Sequence, residues 1–338
     1  MKLTQLLYGS LKAKTDEEFY FLGLNAFLEG NLTEAKDFFV ACAKINTDHA
    51  ESYFQLARVL EKLGQKSHAI KILQDLGFRS KLEPVFKEQI LQKTLDLYLT
   101  QQMGEDALKL FASHWPKTKD MDLLKKKLSA FKMTLNWDDA VELGVTLFKA
   151  NELQSIELAY LETQRALGKE SPEQELKDLY RILRTEPNCS VAWFRALELN
   201  RAASNHSALI EDWKNWFRHC PKAALQHTHQ FEDDLFEANQ YQEALHLYQE
   251  TFHKFSTPPA SLIHALVRSY AKIGAHDAIH EIFEKLIPMA EADPKHLLQT
   301  LLQVYVEYEK ESSSSAAIRQ ALLNLFKENI QINVESRE

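Results

Sequence analysis

The side chains best suited to chemistry in this sequence are histidines, cysteines and paired acids, and their spacing decides what they could do. The chain has thirteen histidines and three cysteines, and the densest group is His219, Cys220, His227 and His229. A zinc site needs three or four such ligands converging, each oriented by an outer partner. His227 and His229 are two apart, so on a helix they face different ways, and His219 and Cys220 flank a proline-marked helix end. His276 and His280 share a helix face, but the Glu of a His-Glu-x-x-His site is missing, because Asp277 is followed by Ala278. The pairs Asp138–Asp139 and Asp233–Asp234 imitate carboxylate dyads, yet each sits beside a turn, where acids commonly cap the next helix start. No glycine-rich phosphate loop, nucleophile elbow or kinase signature occurs. The expectation is a chain with no catalytic, metal-binding or cofactor-binding residues, and so not an enzyme.

The elements carrying these residues are periodic. In 53–73, Tyr53, Leu56, Ala57 and Leu60 fall on one helical face, Gly64 marks a turn, and Ala69, Ile70 and Leu73 share the face of a second helix. Aromatic, Leu, small and large residues on a first helix, then a small residue at the crossing and a bulky one on a second, form the tetratricopeptide pattern. Such a hairpin cannot bury its apolar faces alone and must stack on copies of itself. The small crossing residue recurs at Ala35, Ala69, Ala107, Ala140, Ala244 and Ala278. The spacing predicts an all-α fold, a right-handed tetratricopeptide repeat (TPR) superhelical solenoid.

In chain order, 1–15 reads as an amphipathic cap or tail. Repeats one to three occupy 16–115 with an extension near 77–89, TPR-like repeats four to six 116–221, TPR-like repeats seven to nine 222–330, and a tail 331–338. Gly23 reads as a helix-packing glycine and Gly104 as the turn of repeat three; Leu124, Leu128 and Phe131 are expected to point inward in repeat four, and Tyr160 to lie on the core face of repeat five. Trp193, Trp213, Phe217, Phe231 and Tyr248 recur at repeat phase and read as core.

Composition narrows the partner. The net charge is -8, and residues 1–150 carry 21 basic and 20 acidic side chains against 19 and 28 in 151–338, which disfavours wrapping a polyanion and makes nucleic acid an unexpected partner. The best opposing feature is the basic stretch 117–132, with Trp115 beside it, which would serve an RNA-binding alternative. Cys42, Cys189 and Cys220 are far apart and odd in number, which suits thiols in a reducing, cytoplasmic compartment. No apolar run is long enough to span a membrane. Leu3, Leu6, Leu7 and Leu11 share a face near Lys2, Lys12 and Lys14; capping of the first repeat is the main reading and a membrane-surface foothold the other.

The stretch "YFLGLNAFLEGNLTEAKDFF" at 20–39 resembles the opening repeat of the bacterial lipopolysaccharide assembly protein B family, and "LDLYLTQQMGEDALKLF" at 95–111 is similar in order and spacing. The resemblance implies a noncatalytic, cytoplasmic-facing scaffold in peripheral association with an inner-membrane complex that regulates lipopolysaccharide assembly. That family's N-terminal membrane helix and rubredoxin-like cysteine pairs have no counterpart in these 338 residues.

In a stack of such repeats the first helices line a concave groove that takes a protein or peptide segment. By that geometry the partner-binding candidates are Asn25, Gln55, Arg58, Arg195, Asn200 and Arg268. A peptide-binding co-chaperone with a two-carboxylate clamp is a further alternative, but Arg58 and Lys93 lack an Asn at the expected position between them.

Overall fold

The computed structural model describes residues 15–168, 171–237, 240–255, 257–273, 275–292, 301 and 303–305. Every regular element among them is helical, with no strand. The chain divides into two compact units between Gln154 and Ser155. The cap or tail before Thr15, most of the ninth repeat and the tail 331–338 lie outside the described residues.

Unit 1 holds four antiparallel hairpins: α1 (Asp16–Leu28) with α2 (Leu32–Ile45), α3 (Ala50–Lys62) with α4 (Lys66–Gly77), α5 (Pro84–Thr100) with α6 (Gly104–His114), and α7 (Met121–Met133) with α8 (Trp137–Lys149). Thr15 and Glu18 start the first with a capping box, the Glu18 N–H donating to Thr15 Oγ1 at 3.2 Å and the Thr15 N–H to Glu18 Oε2 at 3.1 Å. Pro84 starts α5 at the position where its missing N–H is harmless. Each turn ends its first helix with one left-handed residue: Gly30, Gly64, Gln102 and Leu135, at φ 82°, 77°, 58° and 56°.

The crossings follow the small-residue rule. Ala35, Ala69, Ala107 and Ala140 are each fully buried. Gly23 packs as expected: a Cβ there would stand 2.7 Å from Phe39 Cε1. Gly104 departs from expectation. It is the first residue of α6, not the turn, and a Cβ on it would meet Met133 Cβ at 2.8 Å and Thr134 Cγ2 at 2.9 Å, so it is small because α7 passes close. In α7, Leu128 and Phe131 are buried as expected, but Leu123 is buried in place of Leu124, which is only half-buried. One residue of rotation, about 100°, makes that difference.

Unit 2 holds α9 (Ser155–Ala166), α10 (Pro172–Thr185), α11 (Ser190–Ala202), α12 (His206–His219), the short α13 (Pro221–Ala224), a 3₁₀ turn (Leu225–His227), α14 (Thr228–Glu237), α15 (Tyr241–Phe252), α16 (Ala260–Lys272) and α17 (His276–Ala292). Ser171 caps α10 through the Gln174 N–H, with Pro172 at its first turn. Tyr160 is 38 % exposed, and Ala159, Leu161 and Thr163 take the buried positions of α9 instead. The expected aromatics do form the core: Trp213, Phe217, Phe231 and Tyr248 are essentially inaccessible, with neighbouring ring centroids 4.9–6.1 Å apart. No described helix is long and apolar enough to cross a membrane.

Candidate functional site

The six residues expected to face a partner divide between the units, Asn25, Gln55 and Arg58 in unit 1 and Arg195, Asn200 and Arg268 in unit 2. In unit 1, Arg58 sits midway along α3, one residue past the buried Ala57. Its Nη1 donates to Gln55 Oε1 at 3.0 Å, one helical turn back, and its guanidinium carbon lies 5.3 Å from the Phe27 ring centroid on α1. Lys62, one turn further on, places Nζ 4.4 Å from the same centroid. Two cations at i and i+4 repel each other, by a few tenths of a kcal/mol on an exposed helix. The negative face of Phe27 offsets part of this, each contact contributing about 0.5–1 kcal/mol where water has access. No carboxylate among the described residues pairs with Arg58 or Lys62.

Asn25 lies elsewhere. It is two residues from Phe27, about 200° round α1, so it does not join Arg58. It stands between Phe21 and Leu28, which are 62 % and 82 % exposed and share its face.

The unit 2 candidates are tied into the protein. Arg195 on α11 donates from Nε to Glu175 Oε1 at 2.6 Å and from Nη1 to Glu198 Oε2 at 3.0 Å. Glu175, in the first turn of α10, is buried beneath it. Arg268 on α16 donates from Nη2 to the buried Glu232 Oε1 at 2.9 Å. Asn200, placed at the groove by its position on the first helix, is 1 % exposed and lies inside. Its Nδ2 donates to Tyr180 Oη at 2.8 Å and to Asp212 Oδ2 at 2.7 Å, and Tyr180 Oη also donates to Asp212 Oδ2 at 2.8 Å. Burial pushes the Asp212 carboxyl up to about 6 against the pull of these two donors, and pushes the Tyr180 phenol up as well.

Sequence reasoning missed these buried acids. Asp234 was read with Asp233 as a turn acid; it is 4 % exposed and accepts from Arg201 Nε and Nη2 and from Trp213 Nε1 at 2.7–2.8 Å. The available signal was helical phase: Asp234 shares the face of Phe231 and Leu235, and Glu175 the face of Leu179 and Ile182.

Three lysines of the basic stretch have partners within unit 1. Lys125 pairs with Glu152 and Lys126 with Asp96, both at 2.6 Å, while Lys127 lies over Phe131. Trp115 donates its indole N–H to Glu88 Oε1 at 3.0 Å. The histidine group is dispersed likewise: the His227 ring packs on Phe194 and Trp216, and His219 and His229 are exposed. Among the described residues no three His, Cys, Asp or Glu side chains are grouped to hold a metal ion. The side chains of His276 and His280 lie outside the described ones.

No family model matches the chain, and no curated protein matches it. Among solved structures it is similar to a tetratricopeptide repeat protein from Parabacteroides merdae ATCC 43184, at 12 % identity and TM-score 0.39 over 75 % of this chain and 98 % of that one. It is similar to the TPR2AB domain of yeast Sti1 in complex with pHSP90, at 14 % and 0.35 over 79 % and 95 %. It is also similar to Naa15/Naa10 bound to HypK-THB, at 12 % and 0.49 over 96 % of this chain and 57 % of that one. The fold is established by the chain's own helix pairs, left-handed turns and alanine crossings: each unit is built from tetratricopeptide-type helical repeats.

Proposed function

We propose that the protein is a noncatalytic scaffold that holds a carboxylate-bearing segment of another protein on the first-helix face of unit 1. The observation that carries this reading is the Arg58–Lys62 pair over Phe27. Arg195 and Arg268 are each matched by a buried acid, whereas these two cations share one ring and no carboxylate. An incoming carboxylate would relieve their repulsion and accept from the free edge of the guanidinium with fixed geometry.

The partner is proposed to belong to an envelope or lipopolysaccharide-assembly complex at the inner membrane, with the scaffold peripheral to it on the cytoplasmic side. The support is the likeness of 20–39 and 95–111 to the opening repeats of the assembly protein B family.

The test is capture from inner-membrane and cytosolic fractions, then titration of the recovered partner. Arg58→Ala is expected to weaken binding about tenfold with helical content unchanged. Asn25→Ala, on the separate face with Phe21 and Leu28, reports whether the interface extends round α1. Full-strength binding by an Arg58→Ala/Lys62→Ala variant would remove this face from the interface, and partners confined to other pathways would remove the envelope role.

A further inference from the structure

The extension after α4 opens a cavity that the repeat pattern does not foretell. The path 78–83 delays α5, which then runs for 17 residues, and a space of about 260 Å³ lies between α4, α5 and α6. One face of α5 lines it, Lys87, Leu91, Thr94 and Tyr98 at intervals of four, three and four, a continuous helical stripe in which Leu91, Thr94 and Tyr98 are buried and Lys87 is half-buried at the rim. Leu73 of α4 and Leu110 of α6 complete apolar walls, and Phe78 stands at the cavity 87 % exposed.

Gly77 lines this space. It is the last residue of α4, and a Cβ there would meet Leu91 Cδ2 at 3.9 Å, an ordinary contact. Neither a close approach nor a left-handed turn requires glycine at this place, unlike Gly23 or Gly64. A Cβ fits without strain, and a larger side chain there starts from the cavity wall.

The polar groups define the occupant. Gln74 Nε2 donates to Tyr98 Oη at 2.6 Å, so the phenol proton remains to be given, and no other described group takes it. Lys87 is the one lysine or arginine in the lining, which also holds His114 and contains no Asp or Glu. Lys87 has no carboxylate partner among the described residues. In unit 2 the same Gln–Tyr hydrogen bond recurs between Gln249 and Tyr270, in a cavity of about 180 Å³, but there Glu281 accompanies Lys285. The uncompensated positive rim belongs to the unit 1 cavity.

We infer that this cavity is a second docking site, taking one Leu- or Phe-sized side chain from a partner segment with acidic residues flanking it. The volume falls below the roughly 300–1,000 Å³ of drug-sized pockets, which suits one anchoring side chain. The apolar group fills the space between Leu73, Leu91 and Leu110, a flanking carboxylate pairs with Lys87, and a backbone carbonyl accepts from Tyr98. The site shares no residue with the Arg58 face, so the two stand or fall separately.

The probes are end-blocked pentapeptides Gly-Glu-Phe-Glu-Gly, Gly-Glu-Ala-Glu-Gly and Gly-Lys-Phe-Lys-Gly, titrated into the full chain and followed by ligand-observed NMR, with 3-phenylpropionate as a fourth probe. The Glu-Phe-Glu peptide is expected to bind at least fivefold more tightly than the other three. Gly77→Leu should abolish that binding and Lys87→Glu should weaken it at least fivefold, both measured in an Arg58→Ala/Lys62→Ala background so that the other carboxylate-binding face takes no peptide. Lys87→Glu at the rim keeps the test valid should Gly77→Leu lose its helical signal. Equal binding of the Ala and Phe peptides, or undiminished binding by folded Gly77→Leu, overturns the proposal. Phenylpropionate binding as tightly as the peptide overturns the protein-segment occupant in favour of a small carboxylate.

Discussion

Gly23 and the Phe39 ring occupy adjoining space with nothing to spare: an added Cβ would come within 2.7–3.0 Å of three ring atoms of a side chain that is fully buried. This contact fixes how closely α1 lies on α2. Gly23→Ala is therefore expected to destabilise, although alanine is the better helix former. Overpacking costs about 1–3 kcal/mol and helix propensity returns about 1, so urea denaturation should show a net loss. An unchanged midpoint would mean that α1 and α2 separate at no cost.

Leu135 makes the opposite case. It is 68 % exposed and carries φ 56° at the turn where the first two hairpins use glycine. A left-handed backbone costs a β-carbon residue about 1–2 kcal/mol, and glycine gives back part of that as unfolded-state entropy. Leu135→Gly is expected to raise stability by up to about 1 kcal/mol, read from the denaturation midpoint.

The arginines should separate by what they lose. Truncating Arg195 or Arg268 leaves Glu175 or Glu232 buried without its ion pair. Removing one partner of a buried pair costs about 3–5 kcal/mol, less where the arginine is partly exposed as here. Arg195→Ala and Arg268→Ala should lower the melting temperature clearly, and Arg58→Ala should leave it nearly unchanged. A stability loss in Arg58→Ala equal to theirs would make that residue structural too.

Asp212 predicts a pH dependence of definite sign. Burial raises its folded pKa from the ordinary 3.8 to about 6. Between those values the native state binds more protons than the unfolded state, so this group lowers stability as pH rises, and above 6 its cost is constant. The gap corresponds to about 3 kcal/mol. Asp212→Asn keeps an oxygen to accept from Tyr180 and Asn200 without the buried charge. Its gain over the parent protein should reach about 1–3 kcal/mol above pH 6.5 and shrink towards zero near pH 4. A gain independent of pH would show that Asp212 does not titrate in this range.

The sequence by itself determined the helical hairpins, their order and their crossings. Ala35, Ala69, Ala107 and Ala140 are legible because a small residue at fixed phase is the local condition for two helices to approach. Gly30 and Gly64 mark turns because the left-handed backbone favours glycine. Tertiary structure decided what side chains meet. Gly104 is small because α7 passes over it, and Gln102 takes the strained turn in its place. Arg58 and Arg195 lie on first helices one turn apart in phase, and one meets a ring while the other meets a buried carboxylate twenty residues back. Helical periodicity gives the direction in which a side chain leaves its helix. It does not give the identity of what arrives from the neighbouring helix, and that identity separates an open cation, a buried pair and an unfilled cavity.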